Sequence, residues 1–193
     1  MLLSRFFYAL WMVVDLSHEV VAERFGQGVG TCLDSPFHVD AERADLAQVP
    51  LERLVNVLIV VVRAYAEREV TAEHLGDPGL LWGRAVLVHT GWARRWGTAE
   101  YVEPDSPHLT AAAVEILVDA NVALVGIDSG TVDDPADAAR PARHALLGAD
   151  IPIVEHLTNL DLLPDTGARL IALPPPVRGM ALFHVRAVAV LPG

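Results

Sequence analysis

Short, strongly apolar runs alternate with polar punctuation along this chain. Residues 10–16 read as a strand that closes on the polar pair Ser17 and His18. Residues 56–62, NVLIVVV, form a continuous β-branched run, which predicts a strand buried on both faces. Residues 85–89 and 122–127 repeat the pattern, ending in Thr90-Gly91-Trp92 and Asp128-Ser129-Gly130. Three more strands are expected over 151–154, 170–173 and 184–191. Between them, Thr110 caps a predicted helix over 110–120, with Val114, Leu117 and Val118 on one side and Glu115 in its body. A second helix is expected over 141–147, a short one after Thr71 that stops at Gly76-Asp77-Pro78-Gly79, and a single helical turn at 50–54. Residues 26–30 are a flexible Gly-rich stretch, and 31–38 a compact polar segment around Pro36. Strands interleaved with short helices predict an α/β fold.

Composition narrows the class. With 193 residues, 52% hydrophobic and 20% charged, the chain is expected to form a single domain over 1–193 with a sizeable core. A net charge of -11 argues against nucleic acid or an anionic membrane as partner. The 14 basic residues are all Arg, a usage that suggests a GC-rich genome. The single cysteine, Cys32, excludes an intrachain disulfide framework and makes a reducing cytoplasm the simplest compartment. Met1 to Val14 is apolar apart from Arg5, yet it lacks a small-residue cleavage site, and Asp15 arrives too early for a span of about 20 apolar residues. It is read as a first strand with a ragged extension over about 1–13, with a targeting segment or a misplaced start codon as alternatives. There is no repeat, low-complexity linker, GxGxxG or P-loop pattern.

Several segments, in order, carry a resemblance. They are Val14-Asp15-Leu16-Ser17-His18, Gly30-Thr31-Cys32-Leu33-Asp34-Ser35-Pro36-Phe37-His38, Val88-His89-Thr90-Gly91-Trp92, Val125-Gly126-Ile127-Asp128, and Leu146-Leu147-Gly148 through Ile153-Val154-Glu155. The tail, Leu173-Pro174 and Val185 to Ala189, continues the match. Together they resemble the cyclase and kynurenine-formamidase family of small metal-dependent hydrolases. The resemblance implies a swivelling β/β/α-type fold, a mixed sheet packed with helices, and a homo-oligomer. The apolar Phe6, Phe7, Tyr8 and Trp11 also favour an oligomer, since they are poorly left in water.

The family signature is H-x-G-T-H-x-D-x-P-x-H with a later His and Glu. Its early His residues and Asp bind a divalent metal, the late His and Glu help bind a second, and the last signature His is the acid/base. Such ions suit imidazole and carboxylate and acidify a bound water. On this chain the two early ligand positions are Gly28 and Cys32, while Asp34 and His38 remain. Counting back from Leu146-Leu147-Gly148 puts Arg143 at the late His position, with His144 one residue on, turned away by about 100° on a helix. Glu155 remains. A guanidinium near two carboxylates forms bidentate pairs, so Arg143 is read as taking the metal's place electrostatically.

The expected catalytic residues are therefore His38, Asp34, Glu155 and Arg143, with Cys32, His18 and Trp92 contacting substrate and no metal ligands. No cofactor is expected, zinc or manganese being the candidates if one binds. Three readings of Cys32 stand: a small buried hydrophobe, a thiolate ligand, or a nucleophile activated by His38. His18 is either at the pocket mouth or packed at a strand end. Trp92, Trp96 and Trp82 either line a substrate cavity or cover core or a subunit interface. His89, His108 and His184 are read as structural.

Three functions remain open from the residues. The favoured one is metal-independent cyclisation, dehydration or hydrolysis of a small carbonyl compound by acid/base chemistry, a polyketide setting being an association with the GC-rich usage. The others are a hydrolase with a reduced metal site of Asp34, Cys32 and Glu155, and a non-catalytic binding or assembly protein.

Overall fold

Period-two alternation along two central strands separates two hydrophobic cores. A computed structural model describes residues 12–21, 30–102 and 105–192. Its strands in chain order are β1 (Met12–Asp15), β2 (Cys32–Asp34), β3 (Val55–Arg63), β4 (Glu69–Val70), β5 (Ala85–His89) and β6 (His108–Leu109), followed by β7 (Leu124–Ile127), β8 (Ile153–Glu155), β9 (Thr166–Leu173), β10 (Leu182–His184) and β11 (Arg186–Leu191). Two α-helices, α1 (Ala111–Asp119) and α2 (Pro141–Gly148), complete the regular structure with several short 3-10 turns. Nine strands form one mixed sheet in the order β1-β11-β9-β3-β5-β7-β8-β2-β10, and β4 pairs with β6. The inner neighbours β3, β5, β7 and β8 run parallel; the flanks are antiparallel.

Leu87 and Leu124 point into one core, which β9, β11 and β1 close with Leu170, Ala187 and Val14. Val86, Val88, Val125 and Ile127 point into the other, covered by Leu117 of α1 and Leu146 of α2. Being buried on both faces is why β5 and β7 lack polar alternation. Gly126 faces the first core, where a Cβ would meet Leu157 Cδ1 and Leu87 Cδ2 at 2.6 Å. Thr110 caps α1 by accepting the Ala113 N–H at 3.3 Å. No described helix is long and apolar enough to cross a membrane.

The expected α/β class holds, and three local expectations are corrected. The run at 56–62 is not buried on both faces throughout: Val57, Ile59 and Val61 are buried, while Leu58 and Val60 are only partly so. It pairs antiparallel with β9, with register shifts at Val55/Val57 and Leu58/Val60, and Asn56 is left-handed at φ 58°. The segment 31–38 contains a strand, β2. The last expected strand is two strands, broken at Val185, whose N–H turns to the Thr31 carbonyl at 3.1 Å.

Candidate active site

A strand of only three residues positions the chemistry. β2 lies between β8 and β10, with Cys32 opposite Glu155 and His184, and Asp34 opposite Ile153 and Leu182. Residues two apart on a strand share a face, as do directly opposed ones, so Cys32, Asp34 and Glu155 converge on one side. Pro36 then starts a 3-10 turn whose pre-set φ brings His38 back beneath Asp34. His38 Nδ1 sits 2.8 and 2.9 Å from the two Asp34 carboxylate oxygens. That bond places the proton on Nδ1 and leaves the Nε2 lone pair free on a side chain that is 45% exposed.

The cation comes from α2. Arg140, left-handed at φ 50°, offers no side-chain cap, and Pro141 occupies the first turn. Asp133 supplies the cap from outside, accepting the Ala142 N–H at 2.7 Å and the Arg143 N–H at 3.3 Å. Arg143, so anchored, donates through Nη1 to Asp34 Oδ2 and through Nη2 to Glu155 Oε1 at 2.6 Å, with its Nε 3.9 Å from Asp133 Oδ2. Glu155 Oε1 also accepts the Val132 N–H at 3.2 Å.

Burial pushes the Asp34 and Glu155 carboxyls up, and Arg143 pulls both back. Burial pulls the guanidinium down, but Glu155 and Asp34 outweigh it, so its proton is held more tightly than usual. Burial raises the Cys32 thiol, and Glu155 and Asp34 raise it further. Buried in surroundings that disfavour its thiolate, Cys32 packs as a small side chain.

His38 and Arg143 open onto a cavity of about 560 Å³ whose wall also includes Tyr101, His156, Thr131 and Leu182. Asp34 and Glu155 lie beneath that wall, fully covered. His144 also reaches this wall, exposed, one position past Arg143. Trp92, expected at the substrate, is not on it. Trp92 is buried, its indole N–H donating to the Tyr101 carbonyl at 3.0 Å, and so it props Tyr101. His18 is also absent from this wall. It stacks on Trp96 with ring centroids 4.0 Å apart, its backbone N–H held by Thr31 Oγ1 at 3.0 Å. Burial lowers its imidazole to about 4. Gly28 lies outside the described residues, as do Met1 to Trp11.

Two residues that sequence reasoning did not single out complete the wall. His156 follows Glu155 and, by strand alternation, belongs on the opposite face. A left-handed φ of 60° swings it back, with its N–H on the Ser129 carbonyl at 2.9 Å and its carbonyl on Thr31 Oγ1 at 2.6 Å. Its Nδ1 is 2.8 Å from the Tyr101 hydroxyl. Burial, then the neighbouring His18, His184 and Arg143, lower its imidazole to about 4. No sequence signal marks that turn.

A divalent metal does not fit these residues. Both Asp34 oxygens are engaged by His38 or Arg143, and Glu155 Oε1 by Arg143 and the Val132 N–H. The guanidinium itself stands between the carboxylates. A divalent ion about 4 Å from it would meet a repulsion of about 8 kcal/mol at an effective dielectric of 20, and arginine does not shed its proton to relieve it.

Comparison with known proteins agrees with this architecture. The family model described as Cyclase matches residues 14–134. Kynurenine formamidase of Salinibacter ruber is 34% identical over 171 residues, covering 86% of this chain and 76% of that protein. The Maricaulis maris kynurenine formamidase is 31% identical over 159 residues, covering 82% and 74%. Isatin hydrolase A from Labrenzia aggregata superposes with a TM-score of 0.82 at 24% identity, covering 95% of this chain and 94% of that one. A structure described as a potential metal-dependent hydrolase with cyclase activity gives a TM-score of 0.77 at 19% identity, covering 93% and 98%. Fold, motif order and relatives together place the chain in the Cyclase family, among hydrolytic enzymes.

Proposed function

We propose that the protein hydrolyses the acyl bond of a small, ring-bearing amide or related carbonyl compound, with Arg143 doing electrostatically what a metal ion does in its relatives. The observation that carries this reading is the guanidinium bound to both Asp34 and Glu155 while His38 keeps a free Nε2 at the same cavity. Its relatives are a kynurenine formamidase and an isatin hydrolase, which makes an aromatic amide the favoured substrate class. The ring of Tyr101 on the cavity wall offers a surface for such a substrate.

His38 Nε2 removes a proton from water as the water oxygen bonds to the carbonyl carbon. Asp34 orients the imidazole through Nδ1 and balances the charge it gains. Arg143 has five N–H donors, of which two are taken by the carboxylates, and offers the remainder toward the carbonyl oxygen. When the C–N bond breaks, His38 returns its proton to the leaving nitrogen, giving a carboxylic acid and an amine.

The test is hydrolysis of isatin, the N-formyl derivative of kynurenine and an aryl ester, using protein purified without chelator and then dialysed against one. Elemental analysis accompanies each sample. Turnover should survive chelation without stoichiometric metal, and His38→Gln should lower kcat by about 10²–10⁴-fold. Turnover that appears only on adding zinc or manganese would refute the proposal.

A further inference from the structure

We infer that His156, held by Tyr101, is a neutral hydrogen-bond donor that receives the substrate's carbonyl oxygen as charge develops on it. This rests on the hydrolytic reading above, in which Arg143 also serves two buried carboxylates and a second donor would share the oxyanion with it.

Geometry makes the case. His156 shares the cavity wall with His38 and Arg143. It gets there through a left-handed backbone conformation, which a non-glycine residue adopts only at a cost in strain. Room for the ring is made at Gly130, where a Cβ would stand 3.1 Å from His156 Cε1.

The Tyr101 hydroxyl fixes the ring's state. An imidazole nitrogen is the better acceptor and a phenol the better donor, so the 2.8 Å contact is Tyr101 O–H donating to His156 Nδ1. The proton of the neutral ring is then on Nε2. Tyr101 is itself immobilised, buried and tied through its carbonyl to Trp92. Nε2 bonds to nothing among the described residues and is not sealed from solvent, on a ring that lines the cavity. Accepting the Tyr101 bond needs the Nδ1 lone pair, which only the uncharged ring has. A neutral N–H can stabilise an oxyanion without transferring a proton, as an oxyanion hole requires. In that arrangement Tyr101 and Gly130 are positioning residues.

Nitrogen-15 NMR of the imidazoles in the full chain, with His156 assigned by its loss in His156→Gln, reads the tautomer directly. At pH 7 His156 should be neutral with its proton on Nε2, and Tyr101→Phe should release it into a tautomer mixture. Saturating benzoate, an aromatic oxyanion, should shift the Nε2–H resonance. A proton on Nδ1, an imidazolium at pH 7, or no response to benzoate would each overturn the inference. In kinetics on the best amide substrate, His156→Phe should lower kcat by about 10²–10³-fold with KM little changed, and His156→Gln, which keeps an N–H, should recover most of that loss. Equal losses in the two variants, tracking their melting temperatures, would mean a structural role only. A wild type with no amide or ester turnover would sink the hydrolytic reading, while the NMR arms still judge the donor.

Discussion

Arg143→Leu leaves two buried carboxyls facing each other without a cation. The side chains of Asp34 and Glu155 are 1% and 4% exposed, so water offers little compensation. Removing one partner of a buried ion pair costs about 3–5 kcal/mol. At about 2–4 °C per kcal/mol for a chain of this size, the melting temperature should fall by about 6–20 °C near pH 8. The loss should depend on pH in a defined sense. Burial already raises both carboxyls, and without Arg143 each is raised further by burial and by the other. A carboxyl raised on folding keeps its proton in the folded chain after the unfolded chain has lost it. The penalty is therefore absent below the unfolded value near 4, and it grows as pH rises until the folded value is passed. Circular-dichroism melts at pH 5 and pH 8 should show a smaller gap from wild type at pH 5. Adding Asp34→Asn and Glu155→Gln removes both charges and should abolish the difference between the two pH values. If Arg143→Leu melts with wild type at pH 8, or the gap is the same at both, the guanidinium does not neutralise that pair.

Gly28→His, Cys32→His and Arg143→His in one chain should take up zinc by elemental analysis where the unmodified protein does not; stoichiometric zinc on native Asp34 and Glu155 would contradict the fit argued here. Cys32 should resist a thiol reagent such as dithiobis-nitrobenzoate at pH 8 until the chain is denatured, and Cys32→Ala should keep its turnover. Rapid labelling of the folded protein would show the thiol is neither buried nor protonated. Gly126→Ala should cost about 1–3 kcal/mol in urea unfolding by overpacking against Leu87 and Leu157, and an unchanged midpoint would mean that core yields freely.

What the sequence made legible follows from which interactions are periodic. β5 and β7 announce themselves because strands buried on both faces need unbroken apolar runs, and α1 because Thr110 is a local cap. β2 has three residues, too few for alternation to register, and it exists because β8 and β10 flank it. The cluster of Asp34, His38, Arg143 and Glu155 was readable only through motif order, since 109 residues separate the Asp34–Arg143 pair. Trp92 was misplaced because a large ring beside a Gly-containing loop looks the same whether it faces substrate or a neighbouring carbonyl. His156 was invisible because one left-handed φ overrides the alternation that would send it away.

Arg143 sits in the first turn of α2, the positive end of the helix dipole, where a cation is disfavoured by up to about 1 kcal/mol. Asp133, at the same helix end, offsets that opposition. A neutral imidazole in this position would meet no such penalty, so helix formation alone gives no reason for arginine here. The residue at 143 answers to the carboxylates across the sheet, and any substitution there trades local helical comfort against the charge balance of Asp34 and Glu155. Sequence drift at this position should therefore be tied to drift at those two carboxylates: a neutral residue at 143 calls for a compensating neutral residue at 34 or 155, or for an ion recruited from solution.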